Sequence, residues 1–184
     1  MPPGNFIFDL TFALLFAAIG TSCNSKKQSD SDSRTAAKNL FEQVTRDFHI
    51  PSADAKGAEK ARLQEQAAAG YEVLLKKYPE QAFYAAQAER SLGNIRAVQG
   101  KIDEAVQHYA AVEKKYSTQE WEVIMSLKSA ADLLWENGSK DQARGYYQKI
   151  VSRFDQPDAS SIIKTVVNGS KRRLAGQELP GEAK

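Results

Sequence analysis

Two histidines, His49 and His108, and one cysteine, Cys23, are the chain's whole stock of imidazole and thiol. Neither histidine has another ligand or base at a spacing that chemistry requires. His108 precedes Tyr109 in an amphipathic stretch, which suits a surface or packing role. One cysteine cannot form an intramolecular disulfide, and one cysteine with two histidines cannot build a zinc finger of the usual kind. The chain has no G-x-S-x-G, no P-loop and no H-E-x-x-H. Asp30 and Asp32 alternate with serines but lack the glycine and closing glutamate of a calcium loop. Asn168-Gly169-Ser170 forms a sequon inside a helical pattern and is read as no site. Lys76-Lys77 and Lys114-Lys115 read as solvated helix ends. The net charge of +2, from 25 basic and 23 acidic residues, gives no basic face for nucleic acid. The reading is therefore no enzyme, no metal, no cofactor, no nucleic acid and no small-molecule substrate.

The thiol is the exception. Residues Phe6 to Ile19 (FIFDLTFALLFAAI) are apolar apart from Asp9 and Thr11. At 14 residues the stretch is shorter than the roughly 20 that a bilayer crossing needs, and it matches a signal-peptide core. Small residues Gly20, Thr21 and Ser22 follow, then Cys23. This arrangement resembles the lipobox of bacterial lipoproteins. The resemblance implies cleavage before Cys23 and acylation of its thiol. Asn24 in the next position implies, by the same resemblance, the outer rather than the inner membrane. Two other readings stay open: an ordinary cleaved signal, and an uncleaved anchor with Lys26, Lys27 and Arg34 on the cytoplasmic side.

The elements that position everything else are repeated. Ala67, Ala105 and Ala143 are 38 residues apart, and Tyr71, Tyr109 and Tyr147 follow each by four. Gly93, Ala131 and Gly169 keep the same period of 38, as do Tyr78, Tyr116 and Phe154. Phe83 pairs with Trp121, and Gly100 with Gly138. Each unit reads as two helices. The spacing predicts helices over 35–48, 58–78, 80–99, 102–116, 117–137, 139–154 and 159–175, about seven in all. Ser117 to Glu120 and Ser139 to Gln142 have the form of capping boxes. Gly100 and Gly138 stand where C-terminal glycines belong. The small residues at 93, 131 and 169 are expected at close helix crossings, with the tyrosines filling the gaps beside them. One pair cannot bury its apolar face alone, so units must stack.

Leu92-Gly93, Ala105-x-x-x-Tyr109, Ala143-x-x-x-Tyr147 and Ala67-x-x-x-Tyr71 with Pro79 resemble the tetratricopeptide repeat. The longer period and Lys77-Tyr78-Pro79 look like the repeats of outer-membrane assembly lipoproteins and of the periplasmic Tol–Pal coordinator. The resemblance implies an all-α superhelix of αα-hairpins whose first helices line a concave groove for a protein or peptide. Matching groove positions are Gln87, Arg90, Asn94 and Ala97, then Met125, Lys128, Asp132 and Trp135, then Ile163, Val166, Ser170 and Arg173. Arg90 and Asn94 share a face and resemble part of a carboxylate clamp. Ser129, Ile163 and Val167 stand where the rest of that clamp needs amide or basic groups, so capture of a C-terminal carboxylate is not expected. Lys128 and Asp132 also read as a plain intrahelical ion pair. Trp135 reads either as core or as an interface anchor, and the anchor is favoured because Leu134 occupies the core column.

The organisation expected is a lipoprotein-type signal over 1–22, a disordered tether over 23–34, a tetratricopeptide-like helical domain over 35–175 and a disordered tail over 176–184. The function expected is a non-catalytic adaptor, lipid-anchored at the cell envelope and facing the periplasm. A cytoplasm-facing, membrane-anchored regulatory module and a passive oligomerisation module are the alternatives.

Overall fold

The computed structural model describes residues 20–177, with side chains from residue 28 onward. The expected signal segment lies outside these residues except for 20–22, and the tail from 178 lies outside them too. Cys23 stands in a described helix backbone, but its side chain is not among those described.

Among the described residues every regular element is helical. Helix α1 (Gly20–Val44) runs through a π turn (Thr45–His49) into short α2 (Ile50–Asp54). Then come α3 (Gly57–Lys77), α4 (Ala82–Val98), α5 (Ile102–Lys115), α6 (Glu120–Glu136), α7 (Lys140–Phe154) and α8 (Ser161–Leu174). Taking the α1–α2 rod as one element, each packs on the next in chain order, which is an αα-hairpin repeat stack. The spacing-based helices agree with these bounds within a few residues from α3 onward.

The repeat columns form the core. Ala67, Ala105 and Ala143 are wholly buried, and Tyr71, Tyr109 and Tyr147 are no more than 3% exposed. Small residues stand where helices touch. A Cβ on Gly93 would lie 2.5 Å from Tyr109 Cε1, so α4 and α5 cross with no room for a methyl. Gly70 makes a second such crossing, against Val44 of α1, which no repeat column announced. Gly100 and Gly138 adopt φ of +74° and +82°, each just past a helix end. There Lys101 N–H bonds to Arg96 O and Ser139 N–H to Leu134 O, both at 2.9 Å, closing the turn as a left-handed C-terminal residue does.

Three expectations are corrected. The disordered tether is the first part of α1. Gln81 Nε2 donates to Asp30 Oδ1 at 3.0 Å and Ser33 Oγ to Glu80 Oε1 at 2.9 Å, so the α3–α4 connection holds this polar stretch in place of an apolar face. Pro51 does not end the first helix. The π turn closes with Ile50 N–H on Thr45 O, and Pro51 then falls in the first turn of α2, where no N–H is required. Neither capping box forms. The N-caps of α6 and α7, Gln119 and Ser139, make no side-chain cap bond. Before α6, Gln119 N–H reaches back to Tyr116 O at 2.9 Å, a backbone turn that leaves Ser117 outside the cap. The capped helix is α8, where Ser160 Oγ accepts from Ile163 N–H at 3.4 Å.

Helix α8 differs from its column mates. In α6 the residues Val123, Ile124, Leu127 and Leu134 are buried. The matching α8 residues Ser161, Ile162, Thr165 and Arg172 are exposed, Ile162 at 59%. Of the four aliphatic residues 162, 163, 166 and 167, only Val167 is buried. A helix with one apolar and one polar face is what a terminal capping element of a stack requires.

Candidate functional site

The face expected to line the groove consists of one stripe on each of α4, α6 and α8. On α4 the stripe is Phe83, Gln87, Arg90 and Asn94, spaced by four, three and four, which keeps them on one side of a helix. On α6 it is Trp121, Met125, Lys128 and Asp132, with Trp135 one turn further. On α8 it is Ile163, Val166 and Ser170. Gln87, Met125, Ile163 and Val166 are half-buried, as a groove floor should be, while Phe83 and Trp121 stand 50% and 46% exposed at one end.

Most polar groups in the groove already have partners within the chain. Arg90 Nε lies 2.5 Å from Glu122 Oε2, and the Glu122 side chain is only 7% exposed. This pair ties α4 to α6 through the guanidinium Nε. Asn94 Oδ1 accepts from Tyr109 Oη at 2.8 Å. One unit later Asp132 Oδ1 accepts from Tyr147 Oη at 2.7 Å, so the same bond recurs with the 38-residue period. Burial pushes the Tyr109 hydroxyl up to about 12. Burial, then the Asp132 carboxylate, raises Tyr147 further. In the first unit Thr45 Oγ1 and His49 Nδ1 play the matching part, 2.9 and 2.8 Å from Tyr71 Oη. Burial and then the charge of Arg90 hold the His49 imidazole below its usual range.

Lys128 and Asp132 form the expected i,i+4 pair at 2.5 Å. Trp135 is half-buried: its ring stands edge-on to Tyr147 with centroids 6.1 Å apart. Arg173 and Lys140 lie over it at 4.9 and 5.1 Å. Arg173, the column mate of Trp135, is therefore a buried part of the wall, not a free last-turn cation. Beside these residues α6, α7 and α8 enclose a notch of about 520 Å³, lined among others by Lys128, Tyr147, Val166, Gly169 and Arg172. Here the small residue at 169 opens a recess on the groove.

The outer face carries a buried charge cluster that single residues did not announce. Glu89, 4% exposed, lies 2.9 Å from His108 Nδ1 and 3.2 Å from Lys115 Nζ. Burial pushes the Glu89 carboxyl up, but the His108 hydrogen bond and the Lys115 charge outweigh it and hold it below the usual range. His108 is thus a packing residue with a carboxylate partner. Arg96, 12% exposed, bridges α3, α4 and α5 through Glu65 at 3.0 Å and Glu104 at 3.3 Å. Among the described residues no group of three His, Cys, Asp or Glu side chains could hold a metal ion. No described helix is long and apolar enough to cross a membrane.

Spacing placed the expected groove positions of α6, and Gln87, Arg90 and Asn94 of α4, on one side of each helix. It did not add Phe83 and Trp121 to those stripes, although their shared column was visible. It also missed Glu122, whose pairing with Arg90 depends on a contact 32 residues away.

Residues 127–156, from the middle of α6 to the end of α7, match the tetratricopeptide repeat family. No curated protein and no solved structure matches the chain.

Proposed function

We propose that the protein is a non-catalytic adaptor that holds an apolar segment of a protein partner in its concave groove, while a lipid on Cys23 fixes it to the cell envelope. The observation that carries the groove reading is the division of labour on the inner face. The charged and amide groups Arg90, Asn94, Lys128 and Asp132 are satisfied within the chain. What remains for a partner is the half-buried surface of Gln87, Met125, Ile163 and Val166, and the notch at Gly169. A partner segment whose apolar side chains enter the notch gains burial while Lys128 and Asp132 stay paired with each other. A carboxylate terminus at Arg90 would compete with the buried Glu122 for the same guanidinium. The anchor reading rests on the apolar run, the small residues and the single thiol at position 23. Placement on the periplasmic face of the outer membrane follows from the lipobox resemblance and Asn24.

The experiment has two arms. A benzophenone photo-crosslinker at Val166, in the groove, is compared with one at Gln148, exposed on α7. The expected result is one discrete adduct from Val166 and none from Gln148; equal labelling from both refutes the groove. For the anchor, Cys23→Ala is expected to abolish palmitate incorporation and leave unprocessed precursor. A mutant processed and fractionated like the parent refutes the lipid.

A further inference from the structure

We propose that the groove's aromatic end is a membrane contact: Phe83 and Trp121 dip into the headgroup layer of the bilayer to which the N-terminal segment is fixed. This rests on the anchor reading above. Three placements support it.

First, the two side chains are large, apolar and about half exposed, and they occupy one column at the start of α4 and of α6. Consecutive helices run antiparallel, so the starts of α4, α6 and α8 lie on one edge with the ends of α3, α5 and α7. Phe83 and Trp121 therefore crown a single edge of the stack. Aromatic side chains there suit the boundary between water and hydrocarbon.

Second, α1 leaves over this same edge. Asp30 and Ser33 touch Gln81 and Glu80, in the α3–α4 connection on that edge. Val44 packs at Gly70 and His49 reaches Tyr71, nearer the middle of α3. Followed backward from Asp30, α1 points away from the body past that edge, toward Cys23. Seven helical residues from Asp30 to Cys23 rise about 10 Å. The headgroup layer of one leaflet is about 5–8 Å deep. An anchor at Cys23 thus holds this edge, with Phe83 and Trp121 on it, within about 10 Å of the acyl attachment.

Third, the charges on the edge permit the contact. Lys76, Lys77 and Lys114 are exposed in the last turns of α3 and α5. The carboxylates there are Glu80, Glu120, Asp155 and Asp158, with Asp30 and Asp32 on α1, of which Asp30 accepts from Gln81. Asp155 pairs with Lys171 at 2.6 Å, and Glu80 accepts from Ser33. The edge is thus not dominated by acidic groups that an anionic leaflet would repel.

The test uses the processed, full-chain protein reconstituted in vesicles of phosphatidylethanolamine and phosphatidylglycerol. A Trp135→Phe substitution leaves Trp121 as the only tryptophan of the two. The expected result is that Trp121 loses most of its emission to lipids brominated on the acyl chain and is shielded from aqueous iodide. In a companion Trp121→Phe protein, which keeps Trp135, the lipid quenching should vanish; its persistence there also overturns the proposal. Protein that floats with the vesicles while Trp121 answers only to iodide overturns the proposal and leaves the anchor standing. Protein that does not float overturns both.

Discussion

Gly93→Ala is the sharpest probe of the repeat register. The added methyl would stand 2.5 Å from Tyr109 Cε1, 2.7 Å from Cδ1 and 3.1 Å from Cζ. A normal carbon contact is near 3.5–4.0 Å, so the ring must move by about 1 Å. Tyr109 is 3% exposed and its hydroxyl is tied to Asn94 at 2.8 Å, so it has little freedom to do so. Overpacking of this kind costs about 1–3 kcal/mol. Losing the Tyr109–Asn94 bond adds about 1 kcal/mol. Against these, replacing a mid-helix glycine by alanine gains about 0.8–1 kcal/mol. The net is a loss of about 1–3 kcal/mol. For a body of this size each kcal/mol lowers Tm by about 2–4 °C. The matched control is Gly145→Ala in α7, where an added Cβ meets nothing within 4 Å. That substitution has only the propensity gain and should raise Tm. The assay is thermal and urea unfolding of both variants side by side. If Gly93→Ala stabilises as Gly145→Ala does, the α4–α5 crossing is not where the period places it and the reasoning fails.

Other predictions follow from the same contacts. Removing both partners of Glu89, in His108→Ala with Lys115→Met, strands a buried carboxylate and should cost about 3–5 kcal/mol, whereas Glu89→Leu should be near neutral by denaturant unfolding. Because the folded Glu89 is held below its ordinary value, its share of stability is present above about pH 4.5 and is lost as pH falls through the lowered value; acid unfolding of Glu89→Leu should lack that component. Tyr109 is raised from 10 to about 12, so its contribution is complete below pH 10 and disappears as pH climbs toward 12; phenolate absorbance should appear together with loss of helical circular dichroism. Ser126 Oγ is buried with no hydrogen-bond partner, so Ser126→Ala should raise stability by about 1 kcal/mol in calorimetry. Trp135→Ala should cost about 2–3 kcal/mol, less than a full core aromatic, because the ring is half-buried beneath Arg173 and Lys140; a near-native melting curve would show that it contributes only to binding.

Much of the fold was legible because the period was. Ala67, Ala105 and Ala143 with their tyrosines announced which face of each second helix is buried, and burial of all six follows. Gly100 and Gly138 marked helix ends because a positive φ suits glycine and few other residues. The first capping box misled because a serine offers a cap only if the backbone turns at it, and the Tyr116–Gln119 turn begins one residue earlier; Ser139 does stand at the N-cap of α7, but its side chain makes no cap bond. The N-terminal polar stretch misled for a different reason. Its sequence lacks apolar side chains, and what holds it is a pair of hydrogen bonds to residues some fifty positions away, which local composition does not encode. The site was half legible. Spacing set the expected groove positions on one side of each helix, but which of them are spent inside the chain depends on partners such as Glu122, Tyr109 and Tyr147 across helix contacts.

The central claim is that the inner face around α6 and α8 receives a partner's apolar segment. The most direct measurement is the photo-adduct yield from a crosslinker at Val166 in a Gly169→Leu background, with melting recorded on the same preparation. Gly169 lines the notch from the middle of α8, so leucine there should fill the recess. The account predicts unchanged melting and loss of the adduct. An adduct that persists undiminished with the notch filled would contradict it.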